Sequence, residues 1–387
     1  MRIWLSRPHM GGAEERYVAE AFASNYIAPH GPQLDEFEGR FAEFLGGGVH
    51  CAAVASGTAA LHLALHMQDL VPGDEVWISS MTFAGGVFPV IYERATPVFF
   101  DLSAESWTID PGLVEEALAK ANRKNRLPKA IVPTDLYGQT CDLDALEPLA
   151  AEYGVRVIVD SAESVGARCG TRMAGTGGDM AILSFNGNKI MTTSGGGMLV
   201  SSNRKWIERA QFLSTQARDP APHYEHSVYG FNYRMSNVAA AIGLGQLEVL
   251  DQRVEQRRRI FERYKAALSG YPGITFMPEP EWSRSTRWLT VVAFDPAQVG
   301  FTREDVRLEL LEHSIETRPM WKPMHTQPLF EGAQYVGTGF DDWLFDNGLC
   351  LPSDSALSEE NQDEVIQRIA AMLEQGPSGV ERAEVTG

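Results

Sequence analysis

Short apolar runs alternate with helix-like segments through much of this 387-residue chain, and this alternation constrains the fold more than any other feature. The runs are 51–55, 75–79, 97–101, 130–133, 155–159, 181–185 and 196–201. Amphipathic segments such as 59–67 and 143–153 lie between several of them. Because strands connected through helices pair in parallel, the pattern predicts an α/β fold with a mainly parallel sheet and helices on both faces.

A smaller α/β domain is predicted after this sheet. One long helical pattern begins at Ser236 and continues to Leu268, just before the stop signal Gly270. Further elements follow it: strand candidates at 288–294 and 348–352, and helices that begin at Thr302 and Ser358. We therefore expect a large domain over residues 1–248 and a smaller C-terminal domain over residues 249–387.

The amino-acid composition limits which partners the protein can bind and in which cellular compartment we expect it. With 51 acidic and 33 basic residues the formal net charge is -18, which argues against nucleic acid as a partner. No apolar run reaches the roughly 18 residues of a membrane span, and no signal peptide is evident. The four cysteines are widely scattered, so we expect no disulfide framework, no metal site and reduced thiols in the cytoplasm.

Polar or small residues follow four of the predicted strands. They are Ser56 to Thr58, Thr82 and Phe83, Asp160, and Ser184 to Lys189. Ligands of parallel sheets bind outside the carboxyl ends of the strands. We therefore expect these four segments to border one crevice.

The segment Ser56-Gly57-Thr58 ends a strand and begins a helix, so free backbone amides would point outward there. Gly57 allows close approach of a phosphate to the backbone, and Thr58 adds a hydroxyl. The same residues are also compatible with an ordinary helix N-cap.

Asp160 and Lys189 are the other chemically informative residues. A carboxylate at the end of a buried strand needs a partner, which could be a protonated ring nitrogen, a magnesium ion shared with Glu163, or the amides of the next turn. Lys189 precedes the small-residue loop Thr192 to Gly197, although a lone lysine is most often solvated. A phosphate site, a carboxylate and a lysine that bonds to an aldehyde are together what pyridoxal phosphate requires.

Several motifs in order along the chain extend this interpretation. They include "LSRPHMGGAEERYVAEAF", "SGTAALHLAL", "MTFAGG", "VDSAES", "GDMAILSFNGNK", "YGFNYRMSNVAAAIGLGQL" and "TRPMWKPMHTQPLF". The chain resembles the DegT/DnrJ/EryC1/StrS sugar aminotransferases, which are pyridoxal phosphate enzymes of the aspartate aminotransferase (type I) fold. The resemblance covers nearly the whole chain.

The resemblance implies a set of cofactor-binding residues. These are Gly57, Thr58 and Ser184 at the phosphate, Phe83 stacked on the pyridine ring, Ala162 beneath the ring, Asp160 at the ring nitrogen, Glu163 near the ring hydroxyl, and Lys189 at the aldehyde. Many members carry glutamine where this chain has Glu163. Asn232 is implied to reach the phosphate bound by the neighbouring subunit, which implies a homodimer with shared active sites.

The resemblance also implies a reaction. Lys189, rather than the histidine of the dehydratase branch, favours transamination, with Lys189 and Asp160 as catalytic residues, L-glutamate as amino donor and a nucleotide-linked keto sugar as acceptor. A pyridoxal phosphate-binding regulatory protein without turnover is the alternative from a different class.

The motifs "SFNGNK" and "TRPMWKPMHTQPLF" most resemble the branch that aminates C4 of UDP-2-acetamido-4-keto-2,6-dideoxyhexoses. Lys322 and His325 would then lie near the sugar or its diphosphate, and Asn25 and Tyr26 near the nucleotide, unless they are ordinary surface residues. Branches that use GDP-4-keto-6-deoxyhexoses or 3-keto sugars share most of these motifs.

Overall fold

The computed structural model describes residues 1–375 and shows the predicted alternation of strands and helices. The strands are β1 (His50–Val54), β2 (Glu75–Ser79), β3 (Thr96–Phe100), β4 (Ala130–Val132), β5 (Arg156–Asp160), β6 (Arg168–Cys169), β7 (Arg172–Met173), β8 (Met180–Ser184), β9 (Gly197–Ser201), β10 (Ile274–Phe276), β11 (Ser283–Arg284), β12 (Thr290–Phe294), β13 (Arg318–Pro319), β14 (Tyr335–Val336) and β15 (Gly348–Leu351). The helices are α1 (Glu14–Ala23), α2 (Pro32–Phe44), α3 (Gly57–His66), α4 (Phe88–Tyr92), α5 (Pro111–Arg123), α6 (Leu143–Glu152), α7 (Arg204–Ser214), α8 (Asn237–Leu247), α9 (Leu250–Leu268), α10 (Pro296–Val299), α11 (Arg303–Glu312), α12 (Phe340–Asn347) and α13 (Glu359–Gln375).

The large sheet has eight strands in the order β1-β9-β8-β5-β4-β2-β3-β14. Pairing is parallel from β8 through β14, and only β9 is antiparallel to its neighbours β1 and β8. Since β1 and β8 are both antiparallel to β9, their carboxyl ends lie at the same edge as those of β5, β4 and β2. The prediction of a mainly parallel sheet is confirmed.

Helices cover both faces of this sheet because successive strand residues point to opposite sides. On β2, Val76 and Ile78 belong to the apolar cluster that contains α3 and α7. Trp77, between them, belongs to the cluster that contains α5 and α6. Both faces are therefore buried, which explains why the strands appear in the sequence as continuous apolar runs.

A second, antiparallel sheet has four strands in the order β10-β12-β15-β13. Its core contains residues from α9, α11 and α13, including Phe261 and Val306, packed against Phe294 and Leu351 of the strands. Strand β14 leaves this part of the chain and joins the large sheet beside β3. The domain boundary at residue 248 stays a prediction, and residues 376–387 of the predicted small domain lie outside the described residues.

The prediction of one continuous helix over residues 236–268 is wrong, because the structure has two helices there, α8 and α9. The backbone leaves the helical path at Val249, with φ -114° and ψ 4°. Val249 lies at the backbone of Gly11, where a β-carbon would come within 2.8 Å of its side chain. Glu248 accepts a hydrogen bond from Tyr17 at 2.7 Å. Contacts with the N-terminal segment thus accompany a break that helical periodicity cannot reveal.

All four cysteines are buried and unpaired, in agreement with the absence of a disulfide framework. None of the helices in residues 1–375 combines the length and apolar character needed to cross a bilayer.

Candidate active site

A cavity with a volume of about 320 Å³ opens at the carboxyl edge of the large sheet. The four strand-end segments singled out in the sequence all line it. Its lining includes Gly57, Thr58, Phe83, Asp160, Ala162, Glu163, Ser184 and Lys189, which is the whole predicted cofactor set of one subunit. The expectation that these segments border one crevice agrees with the structure.

The first turn of α3 forms one wall of the cavity. Ser56 is the N-cap, and its side chain accepts a hydrogen bond from the amide of Ala59 at 3.1 Å. The amides of Gly57 and Thr58 have no acceptor within the helix because they belong to its first turn. This wall therefore presents free donors at the positive end of a helix, which is a suitable place for a phosphate.

The small-residue loop after Lys189 is explained partly by packing against this turn. A β-carbon on Gly197 would lie 2.4 Å from the carbonyl carbon of Ser56, so only glycine fits there. Gly195 has no atom within 4 Å of its β-carbon position and lines the cavity instead. One glycine thus lets the α3 turn close against β9, and the other leaves the cavity open.

Asp160, the last residue of β5, is 5% exposed and faces the cavity. Its Oδ1 accepts a hydrogen bond from the Ala162 amide at 3.1 Å, and its Oδ2 lies close to Gly86. Burial raises the pKa of Asp160 to about 7, although the Ala162 amide and the nearby Lys189 both act to lower it. A cation placed against Oδ2 would stabilise the carboxylate.

Among the residues that the structure describes, Asp160 does not belong to a cluster of three or more side chains that could bind a metal ion together. Within residues 1–375, such a cluster is formed by three side chains, His325, Asp341 and Asp342, and Asp160 is not one of them. Glu163, the proposed second ligand, is held by other donors. The arrangement suits a protonated ring nitrogen better than a divalent ion.

Lys189 is not a solvated lysine, because its side chain is only 11% exposed. Its Nζ lies 3.4 Å from Oε1 of Glu163 and 4.2 Å from the centroid of the Trp288 indole. Glu163 also accepts hydrogen bonds from the Tyr137 amide at 2.9 Å and from Nε1 of Trp321 at 3.1 Å. The lysine is therefore held inside the cavity by a carboxylate whose own position is fixed.

Three aromatic residues beside Lys189 were missed by the sequence reasoning. Tyr137 stacks on Trp288 with ring centroids 6.3 Å apart, and on Trp321 with centroids 6.1 Å apart. The hydroxyl of Tyr137 also accepts a hydrogen bond from the Trp321 amide at 2.7 Å. Each is a single aromatic in a distant part of the chain, so no local pattern identifies them. The motif "TRPMWKPMHTQPLF" contains Trp321 and was the only available signal.

A second cavity of about 530 Å³ adjoins the first and shares Asn188 and Trp321 with it. Lys322, predicted to contact the substrate, lines this second cavity together with Arg318 and Glu316. The two cavities together form a space larger than the cofactor alone requires.

The remaining predicted residues do not line either cavity of this chain. Asn25 and Tyr26 lie at the surface after α1. Asn232 is exposed and accepts a hydrogen bond from Gln216 at 2.9 Å. His325 is turned away, because its ring stacks on Tyr335 at 3.9 Å and lies between two carboxylates. The structure thus separates the substrate set: Lys322 is beside the site, whereas Asn25, Tyr26 and His325 are elsewhere on the subunit, as is Asn232 of the cofactor set.

Comparison with known proteins assigns the chain to a family. A model described as the DegT/DnrJ/EryC1/StrS aminotransferase family matches residues 8–370. The chain belongs to this family. The resemblance found in the sequence motifs is therefore confirmed, and so are the type I fold, the aminotransferase activity and the cofactor pyridoxal phosphate.

Individual DegT/DnrJ/EryC1/StrS relatives match over almost their full length. EpsN of Bacillus subtilis (strain 168), whose name is that of a pyridoxal phosphate-dependent aminotransferase, is 49% identical over 95% of this chain and 94% of its own. The GDP-perosamine synthase of Vibrio cholerae is 33% identical over 94% of this chain and 97% of its own. The crystal structure of DesI with its TDP-sugar product has a TM-score of 0.88 and 26% identity, over 97% of this chain and 94% of that chain.

Replacing Asp160 by asparagine tests the burial of the carboxylate. In the cofactor-free protein Asp160 keeps its proton up to about pH 7, whereas the ordinary value is 3.8, so the folded state binds more protons than the unfolded state between these two pH values. Wild-type stability should therefore fall across this window because of Asp160. Asp160→Asn should remove this contribution and raise the free energy of unfolding at pH 8 by on the order of 2–4 kcal/mol, with no difference near pH 4.

Urea denaturation of both cofactor-free proteins across the pH range measures this effect. Asp69→Asn, at an exposed position with a left-handed backbone that asparagine tolerates, is the matched control and should change neither end of the curve. Equal stability of wild type and Asp160→Asn at pH 8 would show that the carboxylate is not destabilised by burial.

Proposed function

We propose that this chain transfers the amino group of L-glutamate to the keto carbon of a nucleotide-linked keto sugar in the cytoplasm, with C4 of UDP-2-acetamido-4-keto-2,6-dideoxyhexose as the acceptor. One observation carries the proposal. Lys189, Asp160 and the first turn of α3 line a single cavity at the carboxyl edge of the sheet.

The residues of the cavity suit pyridoxal phosphate. Gly57, Thr58 and Ser184 would hold the phosphate, because the α3 turn supplies amides and Ser184 lies against it, with its β-carbon 3.1 Å from the β-carbon position on Gly57. Asp160 would pair with the ring nitrogen. A β-carbon on Gly86 would come within 2.7 Å of Asp160 Oδ2, so glycine there keeps the carboxylate accessible.

Further cavity residues would fix the ring plane. Phe83 is 57% exposed, and its ring lies 5.5 Å from that of Trp321 at an interplanar angle of 55°, so much of the Phe83 ring is available for stacking. Ala162 has too small a side chain to block the ring beneath which we place it. Glu163 would lie near the ring hydroxyl while still holding Lys189.

When bound, pyridoxal phosphate supplies an electron sink that makes the α-proton of an amino acid acidic enough to remove. Asp160 would hold the ring nitrogen and keep it protonated, which would maintain that sink. Lys189 would hold the cofactor at its aldehyde, and once the amino donor takes its place there, its Nζ would move the proton from the glutamate α-carbon as general base. With the acceptor bound, Lys189 would deliver a proton at the sugar carbon that receives nitrogen.

The second cavity would receive the acceptor. It adjoins the cofactor cavity through Asn188 and Trp321, and it contains the cations Arg318 and Lys322 in a chain with a net charge of -18. Local cations are what an anionic diphosphate requires in such a protein. We expect Lys322 to contact the sugar or its diphosphate.

A GDP-4-keto-6-deoxyhexose is the second candidate acceptor. It is favoured by the 33% identity to a GDP-perosamine synthase. The motifs around Lys189 and Lys322 support the UDP sugar instead. A regulatory protein without turnover is disfavoured because Lys189 and Asp160 are both present and both face the cavity.

We also propose a homodimer with shared sites. Large apolar side chains remain exposed on the isolated chain, among them Phe22, Ile27, Tyr92 and Tyr229. Such side chains are typical of a surface that a second subunit covers. Asn232 follows the exposed segment that contains Tyr229, so it is available to the phosphate bound by the partner. Asn25 and Tyr26 lie close to Ile27 in the chain and would border a nucleotide at the same interface.

A panel of nucleotide-linked keto sugars tests the acceptor. With saturating L-glutamate, the UDP-linked 4-keto sugar should give a kcat/KM at least about tenfold above GDP-linked 4-keto and TDP-linked 3-keto sugars. Products should be identified by mass spectrometry and NMR. A preference for the GDP sugar would replace the UDP assignment, and failure of every keto sugar to accept nitrogen would refute the proposed function.

Mixed dimers test the shared site. When a Lys189→Ala subunit pairs with an Asn232→Ala subunit, one site should contain both native residues and the other neither. The heterodimer should therefore have about half the wild-type turnover, while each homodimeric variant is strongly impaired. Turnover of the purified heterodimer no higher than that of the better homodimeric variant would show that Asn232 serves its own subunit.

A further inference from the structure

Trp288, which lines the second cavity, contacts Lys189 and has no role in the chemistry assigned so far. The Lys189 Nζ lies 4.2 Å from the centroid of the indole. An ammonium within about 6 Å of a tryptophan ring is attracted to its face, and the attraction grows when water is excluded. With the Lys189 side chain only 11% exposed, this interaction takes place largely away from solvent.

The same indole also fixes the backbone beside Lys189. Its Nε1 donates a hydrogen bond to the carbonyl oxygen of Asn188 at 2.8 Å. Asn188 immediately precedes Lys189, so this bond holds the peptide from which the lysine side chain leaves. The hydroxyl of Ser6 donates to the same carbonyl at 2.9 Å. One tryptophan therefore restrains both ends of the lysine, the peptide through its N–H and the amine through its ring face.

Trp288 is itself held firmly. It is 1% exposed and stacks on Tyr137. Its carbonyl accepts a hydrogen bond from Nη1 of Arg257 at 2.5 Å, and Nη2 of the same guanidinium donates to Ser6 at 2.9 Å. Arg257 is buried on α9, so its single planar group connects the two residues that hold the Asn188 carbonyl. Arg257 of α9 thus restrains Lys189 indirectly, through its hydrogen bonds to Trp288 and Ser6.

We propose that Trp288 is a positioning residue for Lys189. It would hold Nζ at the place where the cofactor aldehyde binds: the ammonium loses one proton to solvent, and the resulting amine forms a C=N bond while the aldehyde oxygen leaves as water with the two remaining amine hydrogens. After the amino donor displaces the lysine, the ring face keeps the free amine close to the atoms between which it moves a proton. This inference rests on the proposed role of Lys189.

The rate at which cofactor-free protein bonds covalently to added cofactor, here called capture, separates loss of lysine positioning from a general loss of structure. Pyridoxal 5′-phosphate bonds to Lys189, whereas pyridoxamine 5′-phosphate carries an amine in place of the aldehyde and cannot. In Trp288→Leu the rate of covalent capture, followed by stopped-flow absorbance, should fall by about tenfold or more. The dissociation constant for pyridoxamine 5′-phosphate should change by less than about twofold, because the phosphate wall and Asp160 are untouched.

Two further variants complete the experiment. Trp288→Phe keeps an aromatic face but loses the N–H donor, so its capture rate should lie between those of wild type and Trp288→Leu. Trp77→Leu removes an equally buried tryptophan that packs on Phe100 and lines neither cavity near Lys189, and it should capture at the wild-type rate.

The outcomes distinguish this inference from the proposed function. Wild type that binds both compounds but never bonds to the aldehyde would refute the role of Lys189. If wild type, Trp288→Leu and Trp288→Phe all bond to the aldehyde at the same rate, this result would overturn only the role of Trp288. If Trp288→Leu fails to bind pyridoxamine 5′-phosphate, Trp288→Phe decides alone: slower capture supports the role, and an unchanged rate overturns it.

Discussion

The parallel pairing of β5 with β8 is the contact on which the site depends. Its register places Asp160 beside Ile182, two residues before the end of β8, so the segment from Ser184 to Lys189 leaves the sheet next to the carboxylate. A shift of one residue would turn Asp160 to the opposite face of the sheet. The apolar residues of β5, which alternate between two buried cores, make such a shift costly. Burial of the strands therefore fixes the relative positions of Asp160 and Lys189, the two residues for which we propose catalytic roles.

The arrangement also explains how a buried lysine and a buried carboxylate coexist without a direct pair. Lys189 is held by Glu163 and Trp288, not by Asp160, so the Asp160 carboxylate faces the cavity with one backbone donor. Its pKa near 7 shows that this environment favours the carboxylate poorly until a cation arrives. A protonated ring nitrogen would satisfy that demand, and the charge it retains would stabilise the developing carbanion. The site therefore suits a cationic ring, because none of the described residues places a cation directly against the Asp160 carboxylate.

Much of this could be predicted from the sequence, and the reasons for the misses are physical. The βα alternation predicted the sheet, and polar residues at strand ends such as Asp160 predicted the segments that border the cavity, because both signals are local. Trp288 and Tyr137 could not be found, since their role arises from stacking between residues distant in the chain. The break at Val249 lies where that residue packs against Gly11, and the His325 ring stacks on Tyr335. Both features involve residues distant in the chain, so sequence patterns could not predict them. Residues proposed to act across a subunit interface, such as Asn232, are likewise beyond what one chain displays.

The central claim is that Lys189 is the residue that bonds to pyridoxal phosphate. Borohydride reduction of the purified holoenzyme, followed by protease digestion and mass spectrometry, tests it most directly. The account predicts that the reduced cofactor is found on the peptide containing Lys189 and that Lys189→Ala yields no covalently labelled peptide while still binding pyridoxamine 5′-phosphate. Recovery of the reduced cofactor on any other lysine, or undiminished labelling of Lys189→Ala, would contradict it.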